Sequence, residues 1–161
     1  MERMSDFTFG LALMKLEEEL GLLRQVAFRL PENLRPEETL SLLNRAVALL
    51  RAGSDLLAGL GEEVEPGWAR DVVFSVFEAL FIVQTLLERL EGHLPLFFDG
   101  VSVFEEPLIE KLRQVVDALH SYAGHSAEPL DFDELSYILQ EIAKTLEVEL
   151  VRSKHLMEKV V

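Results

Sequence analysis

Few side chains in this sequence have the chemistry for acid–base or metal work. Four histidines, His93, His120, His125 and His155, stand among 161 residues that include no cysteine. Thiol chemistry and thiolate–metal sites are therefore excluded. A carboxylate-bridged metal pair in a helical bundle needs Glu-x-x-His on two helices, with further glutamates from the others. Asp117-Ala-Leu-His120 approaches that pattern once, with Asp for Glu, while His93 follows a helix-ending glycine and His155 sits among basic residues. No metal site and no cofactor are expected. Gly-rich phosphate loops, nucleophile elbows and zinc-binding helix motifs are absent from the sequence.

One pair of residues goes further. Arg113 and His120 lie seven residues apart, two helical turns, so both project from one face of a helix. A guanidinium holds phosphate oxygens in a fork, and an imidazole exchanges a proton near neutral pH. Tyr122 follows, completing an Arg-x6-His-x-Tyr arrangement. This resembles the HEPN superfamily, helical domains that include RNase toxins with an Arg-x4-6-His motif, often with Tyr two residues after the His. The segment LDFDELSYILQEI is similar to the helix that follows the motif there. The resemblance covers residues 107–146 and implies a metal-independent ribonuclease of toxin–antitoxin or defence type. Arg113 and His120 of two subunits would then meet at a dimer interface, with Tyr122 as the third site residue. Two departures stand out. Gln114 occupies a place where a small polar residue, typically Asn, often follows the Arg, and six intervening residues exceed the toxin branch's usual four.

Charge points the other way. The formal net charge is −14, and a surface this acidic repels phosphate backbones, which argues against nucleic acid as a partner. Whether the chain is an enzyme at all stays open, with the balance against it. The first residues, MERMSDFTFG, carry an early acid and lead into a charged helix, unlike a secretory signal, so a cytoplasmic location is expected. The Leu-, Glu- and Arg-rich composition with two asparagines hints at a thermophile.

The elements that must position these residues are helical. Phe9, Leu13, Leu16, Leu20, Leu23, Ala27 and Leu30 repeat at alternating spacings of four and three, an apolar seam from Ser5 or Asp6 to before Pro31. Gly21 inside that helix is expected to mark a close packing contact. A second helix starts at Pro36, and a third, the most apolar, runs from about Gly67 to Glu91. A fourth starts at Pro107. Asp131 with Glu134 three residues on reads as the capping box of a fifth, with its seam on Leu135, Leu139, Ile142, Leu146 and Leu150. Between the third and fourth helices, HLPLFFDGVSVFEEP is read as an apolar loop in preference to a hairpin turning at Asp99-Gly100. The expectation is a single all-α domain over residues 1–161, an up-and-down bundle of about five helices. The apolar third helix falls short of the ~20 apolar residues a bilayer span requires, so no membrane association is expected.

The third helix carries two apolar features. Val72, Val76, Leu80, Val83, Leu87 and Leu90 form a seam for the bundle, and Phe74, Phe77 and Phe81 form a second stripe beside it. A phenylalanine buries ~150–250 Å² and the largest apolar patch on a typical monomer is ~300–600 Å². Something must therefore cover the stripe: the FFDGVSVF segment with Phe97 and Phe98, or another chain. The leading expectation is a non-enzymatic interaction protein, a homodimer or the binder of a protein partner, acting through Phe74, Phe77, Phe81, Phe97 and Phe98.

Overall fold

The structure, a computed structural model, describes residues 6–27, 29, 34–60, 66–91, 101–124 and 130–160. The described residues form five helices, α1 (Asp6–Ala27), α2 (Pro36–Ala58), α3 (Pro66–Leu90), α4 (Leu108–Ala123) and α5 (Phe132–Val160). A two-residue antiparallel ladder, β1 (Ser102–Val103) with β2 (Glu106–Pro107), precedes α4. The protein is an all-α helical bundle, and no helix among the described residues is long and apolar enough to cross a membrane.

Each helix begins and faces as its residues dictate. α2 opens with Pro36 in its first turn followed by Glu37 and Glu38, which suit the unpaired N–H groups and positive dipole end there. α5 opens under Asp131, whose Oδ1 accepts the Glu134 backbone N–H at 3.1 Å, one half of the expected capping box. The seams on α3 and α5 are buried along their whole length, as are Leu16, Leu20, Leu23 and Ala27 of α1 and Leu108, Leu112, Val115 and Leu119 of α4. Buried side chains from all five helices join one hydrophobic cluster. α3 packs against α1, α2 and α4, while α2 packs against α1, α3 and α5. The central position expected of α3 is thus shared with α2.

The contact between α2 and α5 is the broadest in the bundle, and small residues make it. Ser54 Oγ donates to the Ser136 carbonyl at 2.8 Å, and Ser136 Oγ donates to the Ser54 carbonyl at 2.8 Å. The two hydroxyls are 2.9 Å apart and both serines are buried. Such short side chains reach the opposite backbone only when the helix axes lie close. Beside them Gly53 is buried where three helices meet. A Cβ there would stand 3.3 Å from Val76 of α3 and 3.8 Å from Leu139 of α5. Gly21 is a correction: it is exposed, and a Cβ there would meet nothing within 4 Å. Its place opposite the buried Leu16–Leu20–Leu23 stripe explains why no neighbour approaches.

The segment before α4 also departs from expectation. Asp99-Gly100 lies outside the described residues, but a tight turn does form at Phe104-Glu105, joining β1 to β2 through the Val103–Glu106 pair. Both turn residues have positive φ, 53° and 68°, the sign that a two-residue type I′ turn requires and that side chains other than Gly, Asn and Asp resist. Exposed Phe104 is held by its ring. Its centroid lies 5.7 Å from that of Tyr137 on α5, and Lys111 Nζ stands 5.7 Å from the same centroid. The ladder then leads into α4, where Leu108 N–H donates to the Val101 carbonyl at 2.9 Å.

Chemical denaturation tests both backbone arguments. Gly21→Ala is expected to stabilise the protein by about 1 kcal/mol through helix propensity alone. Gly53→Val is expected to destabilise it by about 1–3 kcal/mol by forcing α2 away from α3 and α5; an unchanged midpoint would remove the three-helix contact. Replacing Glu105 by Gly, which accepts positive φ freely, should add about 1 kcal/mol, and a loss of stability would mean that the turn is not strained.

Candidate functional site

The two sets of residues singled out in the sequence lie on neighbouring helices and partly on one surface. α3 and α4 run antiparallel, with Phe77 opposite His120 and Glu88 opposite Arg113. On α3, Phe74 and Phe81 are half exposed, at 50% and 44%, and Phe77 lies partly buried between them. The three rings form a ladder with centroid spacings of 6.2 Å and 6.2 Å and tilts near 40°. Those distances sit within the favourable range for tilted aromatic pairs. The His120 ring joins from α4, 5.0 Å from the Phe77 centroid. The surface is therefore an aromatic ridge of three phenylalanines edged by an imidazole.

Ion pairs frame it on both sides. Arg24 of α1 donates to Glu78 Oε2, so the polar side of α3 is tied to α1. Towards α4, Arg113 Nη2 donates to Glu88 Oε1 at 2.7 Å and Nη1 to Glu110 Oε2 at 3.3 Å. The hydrogen bond and charge of Glu88, reinforced by Glu110, hold the Arg113 guanidinium above its ordinary pKa, so it stays cationic. Gln84 Nε2 also donates to Glu88 Oε1, at 3.2 Å.

The nuclease-like residues do not converge within one chain. Arg113 and His120 do share the α3-facing side of α4, as their spacing requires. They are nevertheless two turns apart, about 10 Å of helix rise, and each is engaged by a different α3 side chain. Tyr122 faces the opposite way and packs edge-on against Phe132 of α5, with centroids 5.5 Å apart at 83°. The groove that Arg113 lines, about 310 Å³, is also lined by Glu88, Glu91 and Glu110. One guanidinium amid three carboxylates presents a negative, not a phosphate-attracting, surface. Phe97, Phe98, His93 and His125 lie outside the described residues. Of the FFDGVSVF segment, the described part turns towards α5, where Phe104 meets Tyr137.

A feature the sequence did not single out is a groove of about 600 Å³ between α1 and α2, lined among others by Lys15, Glu18, Glu19, Asn44 and Arg45. Arg45 and Glu19 approach to 3.8 Å across it, so its central charges offset one another. Helical spacing gives no sign of such a groove, because it depends on how two helices diverge.

No family model matches the chain, and no solved structure does. The chain is similar to an uncharacterized protein of Aquifex aeolicus (strain VF5), with 28% identity over 162 residues that span 97% of this chain and 99% of that protein. The similarity thus runs through all five helices, not only the stretch carrying Arg113 and His120.

Proposed function

We propose that this is a non-enzymatic helical-bundle interaction protein of the cytoplasm, which self-associates or binds a protein partner through the aromatic ridge of α3. The observation that carries the reading is the exposure of Phe74 and Phe81, at 50% and 44%, side by side with Phe77 on one helix face. Exposed aromatic side chains in a row, rimmed by charged pairs, have the anatomy of a protein interface: an apolar centre in a polar surround. Tyr, Trp and Phe are also the side chains that such interfaces favour, because they bring large area with few rotatable bonds.

The HEPN-type ribonuclease is the second reading, and the shared α3-facing side of Arg113 and His120 is the observation in its favour. In it Arg113 would hold the phosphate and His120 would act as acid/base or charge stabiliser. The Glu88–Arg113–Glu110 clamp and the opposite orientation of Tyr122 weigh against it.

Two measurements test these readings, the first the ridge contact and the second the nuclease. Light scattering on the purified protein at micromolar concentration is expected to give twice the 18.2 kDa chain mass, and Phe81→Asp is expected to return it to a monomer; a monomer unaffected by that substitution overturns self-association through the ridge. RNA incubated with the protein in chelator is expected to stay intact. Cleavage that disappears in His120→Ala would instead establish the nuclease.

A further inference from the structure

We infer that the ridge is covered by a second copy of this chain, with the two α3 helices laid antiparallel about a two-fold axis at the level of residue 79. The inference rests on the ridge being a binding surface and adds what binds it and in which register. Arg70, Phe74, Phe77, Phe81, Gln84 and Glu88 follow one another at spacings of four, three, four, three and four, the rhythm of a helix-packing seam. All six lie on the exposed or half-buried side of α3. The seam is apolar at its centre, with a cation at one end and an anion at the other.

That pattern is self-complementary in one direction only. Laid antiparallel, Arg70 meets the partner's Glu88, Phe74 meets the partner's Gln84, and Phe77 meets the partner's Phe81. All three pairs share a centre at residue 79. Laid parallel, the same seam sets Arg70 against the partner's Arg70 and Glu88 against the partner's Glu88, which repel. An isologous contact requires this reciprocity, in which residue i meets j and j meets i. Glu88 has capacity for the added cation: Arg113 and Gln84 converge on Oε1, and a carboxylate offers about four acceptor positions.

Charge also selects this face for an acidic partner like itself. The chain carries a net −14, so two copies repel over most of their surfaces. Beside the seam, Glu78 is paired with Arg24, and Glu88 and Glu110 with Arg113, so these carboxylates repel a second copy less than unpaired ones would. The exposed halves of Phe74 and Phe81 amount to roughly 200 Å² of ring surface per chain. A stable interface needs about 800 Å² per partner, so the flanks on α1 and α4 must join the contact, and the ion pairs that frame the ridge become its rim.

The test exchanges the end charges and measures dimer affinity by sedimentation, with circular dichroism to confirm folding. Arg70→Glu and Glu88→Arg are each expected to weaken the dimer about tenfold, since each creates two like-charge pairs. Mixing the two variants restores both opposite-charge pairs, so a heterodimer within about threefold of wild-type affinity is expected. Two folded variants whose mixture associates no better than either alone overturn the antiparallel register. Should Glu88→Arg unfold by stranding Arg113, Arg70→Cys and Glu88→Cys replace the swap, because the chain has no cysteine of its own. A short bismaleimide should then join the two variants to each other. It should join neither to itself, because like positions lie about 27 Å apart along the antiparallel pair; self-linkage, or no linkage of the mixture, overturns the proposal. A wild-type dimer that survives Phe81→Asp overturns the ridge itself. A dimer that Phe81→Asp abolishes but the exchanged charges do not rescue overturns the register alone, and a wild-type monomer at about 100 μM overturns the second copy.

Discussion

Two buried serines let α2 and α5 approach until each side chain reaches the other helix's backbone, and the rest of the bundle is arranged around that approach. Each hydroxyl donates to the other helix's backbone carbonyl. The pair therefore fixes the height of α5 against α2 as well as their separation, because the two reciprocal bonds form only where Ser54 stands opposite Ser136. Gly53, next to Ser54, lets α3 enter the same junction through Val76 and Leu80. Once those three helices are set, α3 has its seam inward, and the face carrying Phe74 and Phe81 is turned out between α1 and α4. The orientation of the ridge is thus decided on the far side of the helix that bears it.

Much of this was legible in the residue pattern, and the parts that were not share a physical cause. Starts and buried faces are properties of one helix: Pro36 and Glu37 at the head of α2, Asp131 with Glu134 at the head of α5, and the four–three rhythms of Leu, Val and Ile. All of these emerge where local spacing puts them. Contacts between helices are not properties of one helix. Gly21 looked like a packing glycine and stands in the open, while Gly53, equally unremarkable in the sequence, sits at a three-helix junction. Glu78 pairs with Arg24 of α1, a partner that the spacing within α3 does not indicate. A helical wheel gives the angle at which a side chain leaves its own axis but not which neighbour lies along that direction. The hairpin illustrates the same limit. Its turn uses Phe104 and Glu105, which local preference disfavours, because Tyr137 and Lys111 reward the ring from α4 and α5.

The candidate site combines both kinds of information. That Phe74, Phe77 and Phe81 share a stripe, and that Arg113 and His120 share a face, follow from spacing alone. That His120 edges the stripe, and that Arg113 is drawn away to Glu88, needed the antiparallel pairing of α3 with α4. This pairing changes the weight of the histidine. In the sequence it belonged to a catalytic motif; in the bundle its ring extends the aromatic surface. Tyr122, two residues on, turns half a circle away and serves the packing of α4 on α5.

The acidity of the chain, read first as an argument about nucleic acid, has a colloidal consequence for the ridge. Ring-to-ring attraction acts only over the few ångströms of contact, whereas repulsion between two bodies of charge −14 reaches across a Debye length, about 8 Å at physiological salt. Molecules meeting in arbitrary orientations feel the repulsion before any attraction, which opposes indiscriminate association through the exposed phenylalanines. An encounter that aligns two ridges is the one in which ring contact can offset that barrier. An apolar face on a strongly charged body acts in this way as a geometric filter, favouring approach in few orientations.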